Sequence, residues 1–363
     1  MAESIRFKDH TAVTLHQALA SLGVDARLAR RLQAAVLQKW GRIPDQMPEV
    51  SRRLLERVRE ATTIPQLTRV EKAVSPTDGF AKYLFQGEGE GVFEAVRIPL
   101  LHRPGDEKYV VCVSSQVGCA MGCAFCATGK MGFRRNLATW EIVDQVMHIR
   151  DDSPHPVRGV VFMGMGEPLL NYDRVLRAAE VIADPCGLAI DGKAITISTV
   201  GIVPGIRRFT AERRPYRLIV SLTAATSAKR RTLFPVEDTH SLDELMQAVR
   251  DYQTATGNRM NLAWTMLSGI NTTVEDAREL AQLTAGMPVR LDLIDVNDAS
   301  GEFQPPSREE LQGFRNALTV ELGMPIARRY SGGADVHAAC GMLAGRAMQG
   351  ETLPTEAVPL PCP

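Results

Sequence analysis

Apolar residues recur at helical spacing in the first part of the chain. Between Thr14 and Trp40 they stand mostly three or four positions apart, at Leu15, Leu19, Leu22, Leu28, Leu32, Val36 and Trp40. Thr14 with Gln17 is typical of a capping-box start, and Gly23 divides the stretch into two helices. A further helical run covers residues 50–61. The pattern predicts a small helical domain over residues 1–75, whose many arginines make it a candidate RNA-binding part.

The pattern changes to β-prone runs between Gly79 and Leu101. Two such runs flank the sequence Gly-Glu-Gly-Glu-Gly at 87–91, a turn composition that predicts a hairpin. Glu94 stands on the second run. Residues 76–108 are therefore assigned to a β-hairpin extension.

Beyond this extension, β-prone and helical runs alternate up to residue 345. The seven predicted strands cover residues 109–114, 159–163, 194–199, 218–222, 260–267, 289–296 and 325–329. Helices between them begin with capping signatures, at Ser241 with Glu244, Thr273 with Asp276 and Ser307 with Glu310. Such alternation is typical of parallel strands joined by right-handed crossovers. The sequence therefore predicts an α/β fold for residues 109–345, as a full or partial parallel (βα) barrel.

The chemically distinctive residues follow these predicted strands. A cysteine-rich loop follows the first strand and Gly-Met-Gly-Glu-Pro at 164–168 follows the second. Later strand ends carry Ser198, Thr199, Ser221, Thr223, Asn297, Gly332, Gly333 and Cys340. In a parallel barrel the carboxyl ends of the strands meet on one face, where active sites are built. We therefore expect these residues to form one site.

The two ends of the chain lack signals for export or membrane insertion. The first ten residues have no apolar core of a signal peptide, and no apolar run approaches the about 18 residues of a transmembrane helix. The proline-rich residues 346–363 are expected to be disordered, which would make Cys362 a spare thiol. Cys186 is expected to be structural or incidental. A cytoplasmic protein without membrane contact is the expectation.

Charge is balanced over the chain but clustered locally. The 363 residues include 42 Lys+Arg and 42 Asp+Glu, so the formal net charge does not indicate a nucleic-acid partner. Basic runs nevertheless flank predicted strand ends or helices, at 134–135, 207–208, 213–214, 229–231 and 328–329. Paired arginines bind phosphates and stack on bases, whereas any single pair is better explained by a solvated surface. Together they favour an RNA-binding rim.

Four of the seven cysteines stand close together, at Cys112, Cys119, Cys123 and Cys126. The last three form C-x3-C-x2-C, with Phe125 just before the third. Three thiolates on one tight loop suit three irons of a cubic iron–sulfur cluster, with the fourth iron open to a small molecule. A structural zinc site is the alternative, but it usually has two closely spaced pairs with a longer spacer. A disulfide framework is disfavoured in a long chain with few cysteines.

These motifs, in this order, resemble the radical S-adenosylmethionine (SAM) RNA methyltransferases of the RlmN and Cfr family. The matching segments are CVSSQVGC, CATGKMGFRRNL, FMGMGEPLLN, ITISTVGIVPGI and HAACGMLAG, within about residues 79–345. The long spacer between two catalytic cysteines and the late Ala-Ala-Cys-Gly set this family apart from other radical SAM enzymes.

The resemblance implies roles for individual residues. Cys119, Cys123 and Cys126 would bind the cluster. SAM contacts are implied at Gly166, Glu167, Ser198, Ser221, Thr223 and Asn297, and a carboxylate such as that of Glu167 is the expected partner of the SAM ammonium. Cys340 would carry the methyl group, Cys112 would be the second catalytic cysteine and Glu94 a proton acceptor.

The resemblance also implies a mechanism with one 4Fe–4S cluster and two SAM molecules. One SAM methylates the Cys340 thiolate. The second is cleaved by the cluster to a radical that abstracts hydrogen from this methyl group, and the resulting methylene radical adds to an adenine ring carbon. Cys112 then resolves the protein–RNA adduct, leaving a Cys112–Cys340 disulfide. A monomer with an electron donor such as flavodoxin is expected.

Three departures from the family pattern leave the substrate open. Thr223 stands where the family usually has His or Asn. The family's Leu-Ile-Pro-x-Asn-Pro is here Leu-Ile-Asp-Val-Asn-Asp, which keeps Asn297 but loses both prolines. The N-terminal helical domain matches poorly.

The predicted function is methylation of an adenosine ring carbon in structured RNA, with ribosomal RNA as the first expectation and transfer RNA as the second. Carbon 2 is the predicted position and carbon 8 the alternative. A second hypothesis, motivated by the departures, is a radical SAM enzyme that modifies a different substrate. A third is a non-enzymatic, metal-stabilised RNA-binding module, which predicts zinc and a colourless protein.

Overall fold

A ten-stranded mixed sheet is the frame of the molecule. The computed structural model describes residues 4–100, 105–298, 300–323 and 326–343. The strands are β1 Ile5–Arg6, β2 Thr62–Thr63, β3 Thr68–Val74, β4 Ala81–Gln86, β5 Val92–Leu100, β6 Lys108–Cys112, β7 Gln116–Gly118, β8 Phe133–Asn136, β9 Val157–Phe162, β10 Ile195–Thr199, β11 Arg217–Ser221, β12 Met260–Met266, β13 Val289–Asp295 and β14 Ile326–Arg329.

Helices cover the sheet and form the N-terminal part. The α-helices are α1 Ala12–Leu19, α2 Ala26–Ala34, α3 Arg52–Ala61, α4 Ala127–Lys130, α5 Thr139–Asp151, α6 Tyr172–Ala183, α7 Val203–Glu212, α8 Ser227–Leu233, α9 Leu242–Thr256, α10 Val274–Leu283 and α11 Arg308–Leu322. Short 3-10 turns lie at Phe7–Asp9, Ala20–Leu22, Pro168–Asn171, Gly192–Ala194, Pro235–Asp238 and Ala334–Val336. Helix α2 continues into a π-helical stretch, Ala35–Trp40.

The large sheet has the strand order β14-β13-β12-β11-β10-β9-β6-β5-β4-β3. Its strands from β6 to β14 pair in parallel, and each predicted strand overlaps one of these seven. The predicted α/β fold is confirmed. Because β14 and β3 stand at opposite edges, the described strands form a partial barrel. Residues after β14 nevertheless reach the β3–β4 turn, where the Tyr330 hydroxyl donates to Asp78 Oδ2 at 2.9 Å.

Three antiparallel strands extend the parallel sheet on the β6 side. The predicted hairpin is present as β4 and β5, which pair in antiparallel register. Strand β3 lies inside residues 1–75, the stretch predicted as helical, so the antiparallel unit begins before residue 76. The pairing continues into the parallel strands, with Val96 of β5 opposite Cys112 of β6. The extension is thus one edge of the main sheet.

Helix capping follows the predicted chemistry at most positions. Ser241 and Thr273 form capping boxes with residues three positions later, and Ser307 caps α11. The predicted start at Thr14 with Gln17 is wrong. Helix α1 begins at Ala12, and the box is formed by Thr11 with Thr14, because a second hydroxyl three residues on completes it as well as a carboxamide.

A buried ion pair joins the N-terminal part to helix α5. Lys8 Nζ lies 2.5 Å from Asp144 Oδ1, and both side chains are almost fully buried. Asp144 Oδ2 also accepts from the Leu67 backbone N–H at 2.7 Å. Apolar residues of both parts belong to one continuous core.

Two further predictions concern the C-terminal tail and membrane-spanning helices. The tail 346–363, with Cys362, lies outside the described residues. Within the described ranges, no helix has both the length and the apolar character needed to cross a membrane.

Candidate active site

A cavity opens where the parallel strands end. Its lining includes nine residues predicted for the site: Cys119, Cys123, Cys126, Gly166, Glu167, Ser198, Ser221, Asn297 and Cys340. They come from the loops after β7, β9, β13 and β14 and from the last residues of β10 and β11, so the predicted convergence at the strand ends is observed. We call this space the cofactor cavity.

The three clustered cysteines stand on a loop enclosed by the β7–β8 hairpin. The Cys119 N–H donates to the Gly132 carbonyl at 3.1 Å, and Cys126 precedes α4. A Cβ at Gly129 would lie 2.9 Å from the Cys123 nitrogen, so glycine is needed for the loop to close this tightly. The hairpin was not predicted, because its strands are only three and four residues long.

Burial dominates the electrostatics of these thiols. It raises the pKa of Cys119 to about 12, with a further rise from Cys126. It also raises the pKa of Cys123 well above the usual range, where Cys126 and Cys119 add to the effect. Within the described ranges, no three His, Cys, Asp or Glu side chains are grouped to hold a single metal ion. Because the pKa values of these cysteines are raised, their deprotonation requires a strong positive charge in the cavity.

Gly166 and Glu167 form the turn after β9. Gly166 has φ +99°, and a Cβ there would lie 2.5 Å from Gln116 Cβ. Glu167 is 3% exposed and accepts from the Leu169 and Val200 N–H groups, each at 2.9 Å. Burial outweighs these hydrogen bonds and raises the pKa of Glu167 to about 7. A cation in the cavity would favour its carboxylate form.

Arg230 supports the strand ends behind the cofactor cavity, a role that was not predicted. Its fully buried guanidinium donates to the Leu222 carbonyl at 2.7 Å and to the Val200 carbonyl. Its Nε lies 3.1 Å from Glu237 Oε2. Arg230 was predicted only as one of a basic run at 229–231. The apolar Leu233 and Phe234 beside it were the available signal that this position faces inward.

A second, larger cavity shares a wall with the first. Both are lined by Cys126, Thr128, Met163, Gly164, Cys340 and Gly341. Cys112 lines only the second cavity, together with Arg290, Asp292, Arg328 and Arg329. The charged side chains among its described lining are thus three arginines and one aspartate. We call this space the outer cavity.

The two predicted catalytic cysteines differ in environment. Cys112, at the end of β6, is 7% exposed, and Cys340 is exposed. Burial, with a contribution from Cys340, raises the pKa of Cys112 to about 12, although Arg329 opposes the shift. Cys112 is therefore a neutral thiol near neutral pH. The predicted Cys112–Cys340 disulfide is absent here, since both are free thiols.

Hydrogen bonds tie the Cys340 segment to the cysteine loop. The Ala127 N–H donates to the Gly341 carbonyl at 2.8 Å, and Thr128 Oγ1 donates to the Leu343 carbonyl at 3.1 Å. The Cys340 N–H donates to Ser331 Oγ at 3.0 Å. These contacts hold Cys340 in the wall between the cavities.

Glu94 lies on β5, two residues before the partner of Cys112. Its side chain therefore shares a sheet face with those of Val96 and Cys112. Glu94 Oε1 lies 2.9 Å from Lys82 Nζ, and each side chain is 5% exposed. This buried ion pair was not predicted.

Thr223 does not reach the cofactor cavity. It is fully buried and is not among the cavity-lining residues. Its Oγ1 accepts from the Thr265 N–H at 3.3 Å, and its carbonyl accepts from Asn271 at 2.8 Å. Its φ of +57° turns the chain here, which directs the side chain into the layer beneath the cavity.

Comparison with known proteins shows which family combines these features. The radical SAM superfamily profile matches residues 113–284. A "Probable RNA methyltransferase" of Myxococcus xanthus is 47% identical over 94% of this chain and 95% of its own length. "Dual-specificity RNA methyltransferase RlmN 1" of the same organism is 38% identical over 94% of each chain. The chain belongs to the RlmN-type family of radical SAM RNA methyltransferases.

A solved structure agrees with this assignment. The crystal structure of a radical SAM methyltransferase from Sphaerobacter thermophilus is 32% identical, with a TM-score of 0.84. It covers 93% of this chain and 99% of its own. The partial barrel and its appended helical part are therefore a known arrangement for a radical SAM methyltransferase.

The radical SAM superfamily implies a 4Fe–4S cluster and SAM, and the cofactor cavity suits both. Three cysteine thiols enter it from one loop, which is the donor set of a cluster with one open iron. The missing Cβ of Gly166 keeps the backbone accessible beside the buried Glu167 carboxyl. Ser198, Ser221 and Asn297 supply further polar groups.

Proposed function

We propose that this enzyme methylates a ring carbon of adenosine in RNA, with Cys340 as the carrier of the methyl group. The observation that carries the proposal is the position of Cys340 in the wall shared by the cofactor and outer cavities. From this wall one sulfur can accept a methyl group on one side and deliver it on the other. Carbon 2 is the proposed position, in ribosomal or transfer RNA.

The cofactor cavity would prepare the methyl group. Cys119, Cys123 and Cys126 would hold the cluster, whose positive irons compensate for the cost of burying three thiolates. Glu167 would bind the SAM ammonium, with Ser198, Ser221 and Asn297 as further polar contacts. When bound, the cluster and SAM supply the methyl group and a one-electron cleavage of SAM.

The outer cavity would hold the adenosine. Its three arginines suit RNA phosphates, and Cys112 supplies the second thiol needed to release the product from Cys340. Glu94 would accept the proton that the ring carbon loses. Its position on the same sheet face as Cys112 supports this role.

The first experiment uses anaerobically purified protein with iron and sulfide supplied. We expect a brown protein that binds iron and, after incubation with SAM, carries a methyl group on Cys340 by peptide mass spectrometry. Cys119→Ser should lose the iron and its colour, whereas Cys186→Ser, outside both cavities, should keep them. A colourless protein that binds zinc would refute the proposal.

The second experiment identifies the product. RNA from cells with and without the gene is digested and separated by chromatography coupled to mass spectrometry. A methyladenosine that coelutes with the 2-methyl standard is expected. Coelution with the 8-methyl standard would reassign the position, and no new methyladenosine would refute RNA methylation. An electron donor such as flavodoxin and a monomeric state complete the proposal. Both can be checked on the purified protein of the first experiment.

A further inference from the structure

An exposed aromatic ring borders the outer cavity. Tyr330, directly after β14, lines this cavity and is 64% exposed. An aromatic face that is open to solvent at a cavity is available to stack on a ligand ring. Tyr330 has no role in the proposed methyl transfer.

Contacts on two sides hold the ring in one orientation. The Tyr330 hydroxyl donates to Asp78 Oδ2 at 2.9 Å, and the ring meets Phe80 edge to face with 6.0 Å between centroids. Asp78 Oδ2 also accepts from the Gly333 N–H at 2.8 Å. A Cβ at Gly332 would lie 2.5 Å from the Tyr330 ring, so glycine allows the ring to rest against the backbone. The ring is therefore preorganised, with much of its surface still open.

Positive charge lies beside this ring. Arg328 and Arg329 immediately precede Tyr330 and line the same cavity. Arg329 Nε is 3.6 Å from Asp292, and Arg328 Nη2 is 2.7 Å from Asp295. Arg290 also contacts Asp292, at 3.1 Å. These three guanidiniums outnumber the two carboxylates that they contact, and Asp78 lies at the hydroxyl end of the Tyr330 ring, so guanidinium N–H groups remain beside the ring for phosphate oxygens.

We propose that Tyr330 is a stacking site for an unpaired nucleobase next to the target adenosine, with Arg328 and Arg329 binding the adjoining phosphates. The inference rests on the proposed function in taking RNA as the substrate. An exposed aromatic face beside arginines is the usual means of holding an unstacked base.

The depth of the cavity assigns this site to a neighbouring base rather than to the target. The target carbon must bond to the methylene carried by Cys340, whose sulfur must also meet Cys112, and Cys112 is only 7% exposed. Tyr330 is 64% exposed at the rim. A base that is bonded through Cys340 within reach of Cys112 lies deeper than the Tyr330 ring. The ring is then left for the next base along the strand.

The position of Tyr330 also links base binding to the methyl carrier. The next residue, Ser331, accepts the Cys340 N–H at 3.0 Å and the Asn297 side-chain N–H at 3.1 Å. A base stacked on Tyr330 is therefore held by the same short segment that positions Cys340.

The test compares Tyr330→Leu with Tyr330→Phe in the full-length, cluster-loaded enzyme. The probe is a short single-stranded oligoadenylate that contains 2-aminopurine, whose fluorescence falls when the base stacks. We expect quenching with the wild type and with Tyr330→Phe, which keeps the ring. Tyr330→Leu should lose the quenching and bind the RNA about 5- to 150-fold more weakly, the range for one lost base–aromatic stack.

Two controls separate this inference from the proposed function. Methylation of Cys340 by SAM without RNA, measured by peptide mass spectrometry, should be unchanged in both variants. Thermal unfolding should show that Tyr330→Leu is folded. Absent quenching in the wild type, or equal quenching and affinity in Tyr330→Leu, overturns the stacking site. A parallel loss of Cys340 methylation or of folding in Tyr330→Leu also overturns it, because the ring would then be structural. Failure of Cys340 methylation in the wild type counts instead against the proposed function.

Discussion

The cofactor and outer cavities share a wall but are built in different ways. The first is formed by short loops at the ends of parallel strands and is lined by thiols, small polar groups and one buried carboxyl. The second lies between the antiparallel extension and the last strand, and is larger and lined by arginines and an exposed aromatic ring. One suits a compact cofactor and the other a polyanion. The difference indicates that chemistry and substrate recognition are carried by separate parts of one sheet.

The wall between the cavities provides the strongest test. Cys340→Ala should abolish RNA methylation. Among the described residues, three sulfur-bearing side chains line both cavities: Cys126, Met163 and Cys340. Cys126 is assigned to the cluster and Met163 has no thiol, so Cys340 is the remaining methyl carrier. Stability should change little, since Cys340 is exposed. The measurement is methyladenosine in digested RNA. Cys186→Ala is the matched control and should keep full activity; residual methylation in Cys340→Ala would contradict the role.

The buried pair beneath the outer cavity should affect stability most. Lys82→Met should lower the free energy of unfolding by about 3–5 kcal/mol, because it leaves the Glu94 carboxylate buried without this partner. Adding Glu94→Gln should recover much of the loss. Urea unfolding of the two single variants and the double variant measures both effects.

The proposed role of Glu94 can be tested by comparing the reactions of the two cavities. Glu94→Gln should retain Cys340 methylation, which belongs to the cofactor cavity, and should slow RNA methylation. Equal loss of both reactions would show that Glu94 only supports the fold.

The Glu167 carboxyl gives a pH test of the cofactor cavity. Burial raises its pKa from 4.5 to about 7, so SAM affinity should increase as the pH rises through about 7 and the carboxylate forms. Glu167→Gln should bind SAM about 10- to 150-fold more weakly, as for a lost charged hydrogen bond, and without this pH dependence. Calorimetric titration with SAM measures both. The neighbouring Cys119 and Cys123 thiols titrate far higher and should not interfere.

The sign for stability without SAM is the opposite. A raised pKa means that the folded state binds the proton more tightly than the unfolded state. The stabilising contribution of Glu167 is therefore complete below about 4.5, its ordinary value, and is lost as the pH rises through about 7. A thermal unfolding temperature that rises over this interval in the wild type relative to Glu167→Gln would contradict the assignment.

The smallest effect is expected beneath the cofactor cavity. Thr223→Ala should cost about 1 kcal/mol of stability through its lost hydrogen bond and leave SAM affinity unchanged. Ser221→Ala, which alters a cavity-lining residue, should weaken SAM binding by about 2- to 10-fold. Equal effects of the two substitutions on SAM affinity would restore Thr223 as a SAM contact.

The parallel strands and most of the site were predictable because their signals are local. Strand β13, for example, alternates apolar and charged residues over an ordinary strand length, and the three cysteines of the loop stand within eight residues. The short strands β7 and β8 were missed because three or four residues carry no clear periodicity. Strand β3 was missed because it alternates polar residues with few apolar ones, and its pattern becomes a strand only through pairing with β4.

The sequence by itself determined the α/β alternation, the cluster motif and the positions of Cys112 and Cys340, since these depend on residue order and spacing. Only the tertiary structure decided that Cys340 stands in a wall between two cavities, that Lys82 pairs with Glu94, and that Thr223 lies beneath the cofactor cavity. Those relations join residues from separate strands or depend on the direction of a side chain. They are set by strand order and backbone conformation, which spacing along the chain does not encode.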